Sequence, residues 1–265
     1  MSYFKNKTAI VTGSGMGIGR AIALELCKQG AHVILNGRNE ERLDKTHREF
    51  IKNGFSVSAF RADVTQLNEC EALIQFALDK TGQIDILINN AGVSMNERFE
   101  HLNPEVFSTV IQSNIQGSAF PTSNAINAIK QRKGHVIFIS SAAGMIGLPT
   151  ASAYSAGKMA LTALAQSLKI EMAGSGVHIG IVYVGFTQND EAKRILNAKG
   201  ELVPVAQRPP YLQQTQEQVA RAVLSSIRHR KFSVTLSFVG KLNAFMARYF
   251  PGLAMRIIAY SQTKS

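Results

Sequence analysis

Thr12-Gly13-Ser14-Gly15-Met16-Gly17-Ile18-Gly19 stands between a short apolar run, Thr8-Ala-Ile-Val-Thr12, and a helix-spaced run from Gly17 to Gln29. In the second run Ile18, Ala21, Ile22, Leu24 and Leu26 fall on one face. Strand, glycine-rich turn and helix in that order decide the fold class. Gly13, Gly17 and Gly19 have the spacing G-x-x-x-G-x-G. Glycine permits the tight turn and lets backbone approach a pyrophosphate closely. The helix N-terminus then offers free N–H groups and a partial positive charge to that anion. A glycine cluster alone also suits a purely structural turn. The strand–turn–helix setting favours nucleotide binding, which puts Gly13, Ser14, Met16, Gly17, Ile18 and Gly19 against the ligand.

Working outward, strand-like and helix-length runs alternate. Val33–Leu35, Val57–Phe60, Ile84–Ile88, Val136–Ile139, Val177–Val184 and Phe232–Leu236 read as strands. Glu40–Lys52, Leu67–Leu78, Ala153–Met172 and Gln216–Arg228 read as helices, and a longer one runs from Pro104 towards Ile129 with an interruption expected near Gly117. Short connections between them argue for one open parallel sheet with helices on both faces. The one long irregular stretch is Gly185 to Thr215, with Pro204, Pro209 and Pro210. It follows a strand's carboxyl end, where open parallel sheets bind ligands, and reads as a substrate lid ahead of an ordinary surface excursion.

Composition narrows the classes. Of 265 residues 45% are apolar and 18% charged, enough for one large core and against global disorder. Cys27 and Cys70 are the only cysteines, so no disulfide framework is expected, and no Cys/His cluster has metal-ligand spacing. A reducing, cytoplasmic setting fits, with no signal-like N-terminal apolar run and no stretch of roughly 18 apolar residues. The formal charge is +11. After Glu217 there is no acid, but there are eight basic residues: Arg221, Arg228, Arg230, Lys231, Lys241, Arg248, Arg256 and Lys264. A globally basic nucleic-acid binder would be basic elsewhere too, so no nucleic-acid partner is expected.

The end of the second strand selects the nucleotide. A carboxylate there would accept from a ribose 2′-OH and repel a 2′-phosphate. Here the stretch is Leu35-Asn36-Gly37-Arg38-Asn39, with no acid before Glu40. Arg38 can pair with a phosphate through forked hydrogen bonds, favouring NADP(H) over NAD(H), or it can be a helix-flanking surface charge. Asp63 and Val64 follow the third strand, where an acceptor and a small apolar residue can hold adenine; Asp63 equally suits a helix cap.

Tyr154-Ser155-Ala156-Gly157-Lys158 opens a long helix, and its i, i+4 spacing puts Tyr154 and Lys158 on one face. An ammonium about 4 Å from a phenol favours the phenolate by roughly 4 kcal/mol at an effective dielectric near 20. That is up to ~3 pKa units, enough to bring a phenol from ~10 to near ~7 for proton transfer. Ser140-Ser141 ends the fifth strand, where a hydroxyl can bond a substrate oxygen. Asn89-Asn90-Ala91-Gly92 ends the fourth strand, and the backbone of Asn90, Ala91 and Gly92 can line the cofactor. Asn114 is a mediocre mid-helix residue, better tolerated if the helix opens there to hold water.

Together these stretches resemble the short-chain dehydrogenase/reductase family. The matches are T-G-x-x-x-G-x-G at Thr12–Gly19, N-N-A-G at Asn89–Gly92, the Asn114 helix motif, Ser141 and Y-x-x-x-K at Tyr154–Lys158, in family order over about residues 5 to 240. The resemblance implies a single Rossmann-type, doubly wound α/β domain with a seven-stranded parallel sheet. It also implies reversible hydride transfer between NAD(P)(H) and a carbonyl/alcohol pair. By this resemblance Tyr154 is general acid/base and Lys158 binds ribose and tunes the phenol; Ser141 donates to the substrate oxygen and Asn114 holds a relay water. An arginine where Arg38 stands goes with NADP(H) in the family, and homo-oligomers form through the long helices. Two departures stand out. Val184-Gly185 replaces a proline–glycine pair, leaving Thr187 or Asn189 for nicotinamide contacts, and Met16 stands where NADP-preferring members carry a basic residue.

The expected organisation is therefore a catalytic domain over residues 1–240, with a lid at about 185–215, and a basic amphipathic extension over residues 241–265. In the extension Leu242, Phe245, Met246, Tyr249 and Phe250 form one helical face and Lys241 and Arg248 another; Pro251-Gly252 breaks the helix before Ile257 and Ile258. That pattern suits an anionic membrane surface, a subunit contact or packing on the chain's own core. The expected function is an NADP(H)-dependent oxidoreductase of a hydrophobic carbonyl or secondary alcohol. The competing reading is an NADP(H)-binding regulator without turnover, which would have no need for Ser141.

Overall fold

The computed structural model describes residues 2–205, 213–236 and 238–262. Strands β1 (Thr8–Val11), β2 (His32–Gly37), β3 (Val57–Arg61), β4 (Ile86–Asn89), β5 (His135–Ser141) and β6 (His178–Val184) alternate with helices α1 (Gly17–Lys28), α2 (Glu40–Lys52), α3 (Leu67–Thr81), α4 (Pro104–Gln131) and α5 (Ser152–Glu171). After β6 come the short strands β7 (Arg194–Leu196) and β8 (Leu202–Pro204), then α6 (Gln216–Arg228), β9 (Ser233–Thr235), α7 (Phe238–Tyr249) and α8 (Pro251–Gln262). Seven strands form one sheet in the order β3-β2-β1-β4-β5-β6-β9, every pair parallel. The strand reversal between β1 and β4 makes a crevice above the strands' carboxyl ends, where such folds bind ligands.

The strands read as continuous apolar runs because both faces are covered. In β1, Ala9 and Val11 join the core shared with α1, α2 and α6, through Ile22, Leu26, Phe50 and Val223. Ile10 points the other way, into the core with α3, α4 and α5, through Leu73, Ile129 and Leu161. A smaller apolar cluster of Met95, Leu102, Val106, Val110, Ala153 and Leu196 sits over the carboxyl ends, with Tyr154 packed against it.

Two expectations change, and a third point, left open by the sequence, narrows. First, α4 is continuous through Gly117. Gly117 is instead where α4 closes on Val64: a Cβ there would stand 3.3 Å from Val64 Cγ2. It is also four residues before Pro121, whose missing N–H leaves one rung out without ending the helix. Second, the stretch after β6 is not wholly irregular. β7 and β8 pair antiparallel, and Leu196 exchanges backbone bonds with Ser94 and Asn96, so the hairpin is strapped to the loop after β4. Both strands are short and lie in a stretch with no apolar run that stands out, so the sequence does not reveal them. The base of the excursion is held where Thr187 bridges Gln214. Pro209 and Pro210 lie outside the described residues. Third, the apolar face of α7 is turned to solvent: Leu242, Phe245 and Tyr249 are 50–60% exposed, and Gly240 is the buried one.

Candidate active site

The glycine turn is built by close approach. Gly13 (φ 63) lies against Ala91, a Cβ at 3.0 Å from its Cα, and a side chain at Gly19 would collide with the Gly13 carbonyl and Asn90 Nδ2. Gly17 (φ 58) needs glycine's left-handed freedom, and a Cβ there would meet no atom within 4 Å. Thr12 Oγ1 accepts from Asn90 N and Ala91 N, and Asn90 Nδ2 donates to the Thr12 and Gly13 carbonyls. The Asn90 side chain is thereby a brace for the turn. Ser14 is also turned inward, its hydroxyl accepting from Asn36 N and its N–H donating to Asn36 O. Ile18 packs partly buried on the α1 side of the core. Met16 precedes α1, and its sulfur receives Arg42 Nη1 at 3.3 Å.

Beyond β2, Arg38 is 58% exposed and stands 3.7 Å from Asp63 Oδ2. Asp63 does not cap α3: its Oδ1 accepts from Thr65 N and Thr65 Oγ1, while Glu69 reaches back to Asp63 N. Burial works to raise the Asp63 carboxyl, but the Thr65 bonds and the Arg38 charge outweigh it and hold it below the usual range. Val64 is buried, with its side chain against Gly117.

Asn114, Ser141, Tyr154 and Lys158 converge where β4 and β5 end. Asn114 Nδ2 donates to Val110 O at 2.9 Å, within the helix, and to Val93 O at 2.8 Å. That satisfies the amide without opening α4, contrary to expectation. Its Oδ1 is buried with no partner among the described residues. A Cβ at Gly92 would stand 2.6 Å from this Oδ1 and 3.4 Å from Lys158 Nζ, so the two polar atoms share one spot against Gly92. Lys158 Nζ donates to Ile139 O at 2.9 Å and lies 5.7 Å from the Tyr154 ring centroid. Burial, helped by the nearby Lys193 ammonium, brings Lys158 down to about 8. The Tyr154 phenol is pushed above its usual value by burial, with the Ser141 hydrogen bond pulling it back. Instead of being acidified, the phenol is raised: one N–H of the ammonium goes to the Ile139 carbonyl, leaving two donors free, and desolvation governs both groups.

The structure also separates the two serines of β5. Ser140 is buried and donates to Lys158 O, whereas Ser141 Oγ accepts from Ala143 N and faces Tyr154. The short 3-10 turn Ala142–Gly144 after Ser141 is wedged between β5 and α5, so a side chain at Gly144 would run into Ser140 Oγ and the Lys158 carbonyl. Thr187 Oγ1 turns back to Gly185 O, and Asn189 Oδ1 accepts from Lys193 Nζ. Sequence reasoning did not find Lys193 beside Lys158, nor Arg42 beside Met16; neither stands at a motif position. Among the described residues there is no cluster suited to a metal ion.

An open parallel sheet with a glycine turn braced by its fourth strand defines a dinucleotide-binding α/β fold. The residues present fit such a group: the turn leaves open space at Gly17, and Asn114 Oδ1 and Lys158 Nζ offer an acceptor and a donor at Gly92. The chain belongs to the short-chain dehydrogenases, whose family model matches residues 7–200. It is 36% identical to a 3-ketodihydrosphingosine reductase of Bos taurus, over 69% of this chain and 59% of that protein. The chain thus spans well under two thirds of that relative's length. It is 34% identical to a 3-oxoacyl-[acyl-carrier-protein] reductase of Synechocystis sp., over 78% of this chain and 85% of that one. A crystal structure of a short chain dehydrogenase/reductase from Burkholderia phymatum in complex with NAD superposes with a TM-score of 0.77 at 24% identity, covering 89% of this chain and 90% of that chain. That likeness speaks for the fold. No helix among the described residues is long and apolar enough to cross a membrane.

Proposed function

We propose that the protein is an NADP(H)-dependent reductase of a hydrophobic carbonyl. The observation that carries this reading is the convergence of Ser141, Tyr154, Lys158 and the unpartnered Asn114 Oδ1 beside Gly92. The dinucleotide would be held by the turn Gly13–Gly19, by Arg38, Asp63 and Val64 at its adenosine end, and by Asn90, Ala91, Gly92, Lys158 and Thr187 towards the nicotinamide. When bound, it supplies the hydride. The chain's own groups handle the proton and the oxygen. Ser141 and Tyr154 donate to the substrate oxygen as charge develops on it. The protonated phenol is the form from which carbonyl reduction starts, and the Ser141 hydrogen bond, which pulls its pKa back against burial, eases release of the proton. Lys158 binds the ribose and, through a water on Asn114 Oδ1, resupplies the proton; its lowered affinity for that proton, about 8, favours release.

The reductase names of the relatives support this direction, and the ketodihydrosphingosine and oxoacyl substrates in those names support an acyl-chain carbonyl. The exposed Phe186 and Leu202 at the excursion after β6 add apolar surface near the site. For NADP(H), the support is Arg38 with no acid at the end of β2, and Arg42 stands beside Met16 where a basic residue is otherwise missing. Met159 and Ile170, exposed on α5, support pairing of subunits through that helix, and the two buried free cysteines support a reducing, cytoplasmic compartment. The test is NADPH and NADH oxidation with ketones of increasing chain length, with Tyr154→Phe as control. Turnover of long-chain ketones with NADPH that is lost in Tyr154→Phe supports the reading; tight NADPH binding with no turnover across the series refutes it in favour of a regulator.

A further inference from the structure

The C-terminal helices carry surface that the reductase chemistry does not use. On α7, Leu242, Phe245 and Tyr249 fall at i, i+3 and i+7 on an outward stripe, flanked by Lys241 and Arg248. Phe245 touches Tyr249 and Phe250, with ring centroids 4.9 and 6.1 Å apart, so an aromatic cluster faces solvent. On α8, Ala254 is buried while Leu253, Met255, Arg256 and Ile257 are exposed. None of the described ion pairs involves Lys241, Arg248 or Arg256, and the chain holds no acid after Glu217.

We infer that the exposed face of α7 and α8 docks on an anionic lipid bilayer, with Phe245, Tyr249 and Phe250 in the interfacial zone and Lys241, Arg248 and Arg256 against the headgroups. Apolar and aromatic side chains bordered by cations, without acids, are what an interfacial helix needs. A second copy of this chain is the poorer occupant: pairing two such faces would bring like charges together with no carboxylate in the segment to neutralise them. The helix that carries this face also adjoins the site. α7 follows β9 closely and packs on the turn Ala142–Gly144 that follows Ser141. Under the reductase reading proposed above, docking sets that side of the crevice next to the bilayer, so the substrate is a carbonyl lipid drawn from it.

The chain has no tryptophan, so Phe245→Trp gives a single reporter in the full-length protein. Its partition is measured at 100 mM salt onto vesicles of phosphatidylcholine alone and of phosphatidylcholine with about 30% phosphatidylserine. Each Lys or Arg near an anionic surface contributes roughly fivefold, so three predict on the order of 100-fold tighter binding to the anionic vesicles. The reporter's emission should shift to the blue and be quenched by lipids brominated near the headgroup, at about 5–10 Å depth. K241Q/R248Q/R256Q should lose the anionic preference, and F245S/Y249S/F250S should lose at least about tenfold in binding, both with unchanged circular dichroism. No partition onto anionic vesicles, or partition with unshifted emission, overturns the inference. So does a concentration-dependent dimer abolished by F245S/Y249S/F250S in a chain that ignores vesicles. Vesicle binding is read without turnover, so it stands or falls apart from the reductase reading. Loss of turnover in K241Q/R248Q/R256Q for a vesicle-borne long-chain ketone, with a short soluble ketone still reduced, supports substrate entry from the bilayer; equal loss of both refutes it.

Discussion

Acid should destabilise this protein through two histidines at the edge of the sheet opposite the site. His135 opens β5 and His178 opens β6, and they are 2% and 6% exposed. Their bonds admit one neutral tautomer pattern. His178 Nε2 donates to Lys231 O, so its Nδ1 accepts from His135 Nδ1 at 3.0 Å; His135 Nε2 then accepts from the Tyr3 hydroxyl at 2.9 Å. A proton on either ring must rearrange that chain. Burial, the partner ring and the charges of Arg230 and Lys7 bring His135 down to about 3. Burial, with Arg230 and Lys169 outweighing the Lys231 carbonyl, brings His178 down to about 4. The unfolded chain takes up these protons near pH ~6.5. Below that it binds more protons than the native state, so the stability these groups contribute is complete above about pH 7 and falls as pH drops towards the folded values. At pH 5 each histidine costs about 2 kcal/mol, since 1.5 pH units at ~1.4 kcal/mol separate that pH from the unfolded value. The pair costs about 4 kcal/mol, a large part of an ordinary domain's 5–15 kcal/mol. The assay is urea unfolding between pH 8 and 5 for the wild type and His135→Gln/His178→Gln, where glutamine keeps a donor and an acceptor without titrating. The wild type should lose about 4 kcal/mol more than the variant over that range. Parallel losses would refute the reasoning, whatever the variant's stability at pH 8.

Other outcomes follow from the site. Tyr154→Phe should lower kcat by about 100- to 10,000-fold with NADPH affinity nearly unchanged, read by steady-state kinetics and titration calorimetry. Arg38→Ala should weaken NADPH binding by about 10- to 100-fold and leave NADH binding within a few-fold, because only the 2′-phosphate loses a charge-assisted bond. Reduction should decline as pH rises through about 8, where Lys158 loses its proton; Lys158→Arg, which cannot give up its proton, should flatten that limb at a lower kcat, as seen in pH–rate profiles. Gly92→Ala should disturb Asn114 Oδ1 and Lys158 Nζ together, lowering kcat more than thermal stability.

The sheet was legible because parallel strands covered on both faces announce themselves as apolar runs, as β1, β4, β5 and β6 do; the edge strands β3 and β9 are partly exposed and mixed in composition, yet lie within the stretches read as strands. The same logic failed for β7 and β8, three residues each, which pair with one another and are strapped through Leu196 to the loop at Ser94–Asn96, a tertiary contact that no local pattern reports. Asn114, Ser141, Tyr154 and Lys158 were legible by type and spacing, and the structure brings them together. Their electrostatics was not. Spacing put an ammonium near a phenol, but could not show that the Ile139 carbonyl would take the ammonium or that burial would raise the phenol. The α7 stripe had legible periodicity, yet periodicity does not say whether an apolar face turns in or out.

The two polar clusters of this sheet show how a structural network differs from a working one. At the edge where the strands begin, Tyr3, His135, His178 and the Lys231 carbonyl use every ring nitrogen, and the chain of donors ends on a backbone acceptor. Such a network costs little while neutral and resists change. At the edge where the strands end, the described residues leave four buried polar atoms without partners: Asn89 Oδ1 at the end of β4, Asn114 Oδ1 at Gly92, Ser152 Oγ at the start of α5 and Gln214 Oε1 at the base of the excursion. Each unspent acceptor or donor costs of order 1–3 kcal/mol if nothing meets it. All four lie on the side where the strands end, and none lies at the opposite edge. Capacity left open on one side of the sheet, against a closed ledger of bonds on the other, is the physical reason to look for ligand and water at Asn114 and Lys158 rather than at the buried histidines.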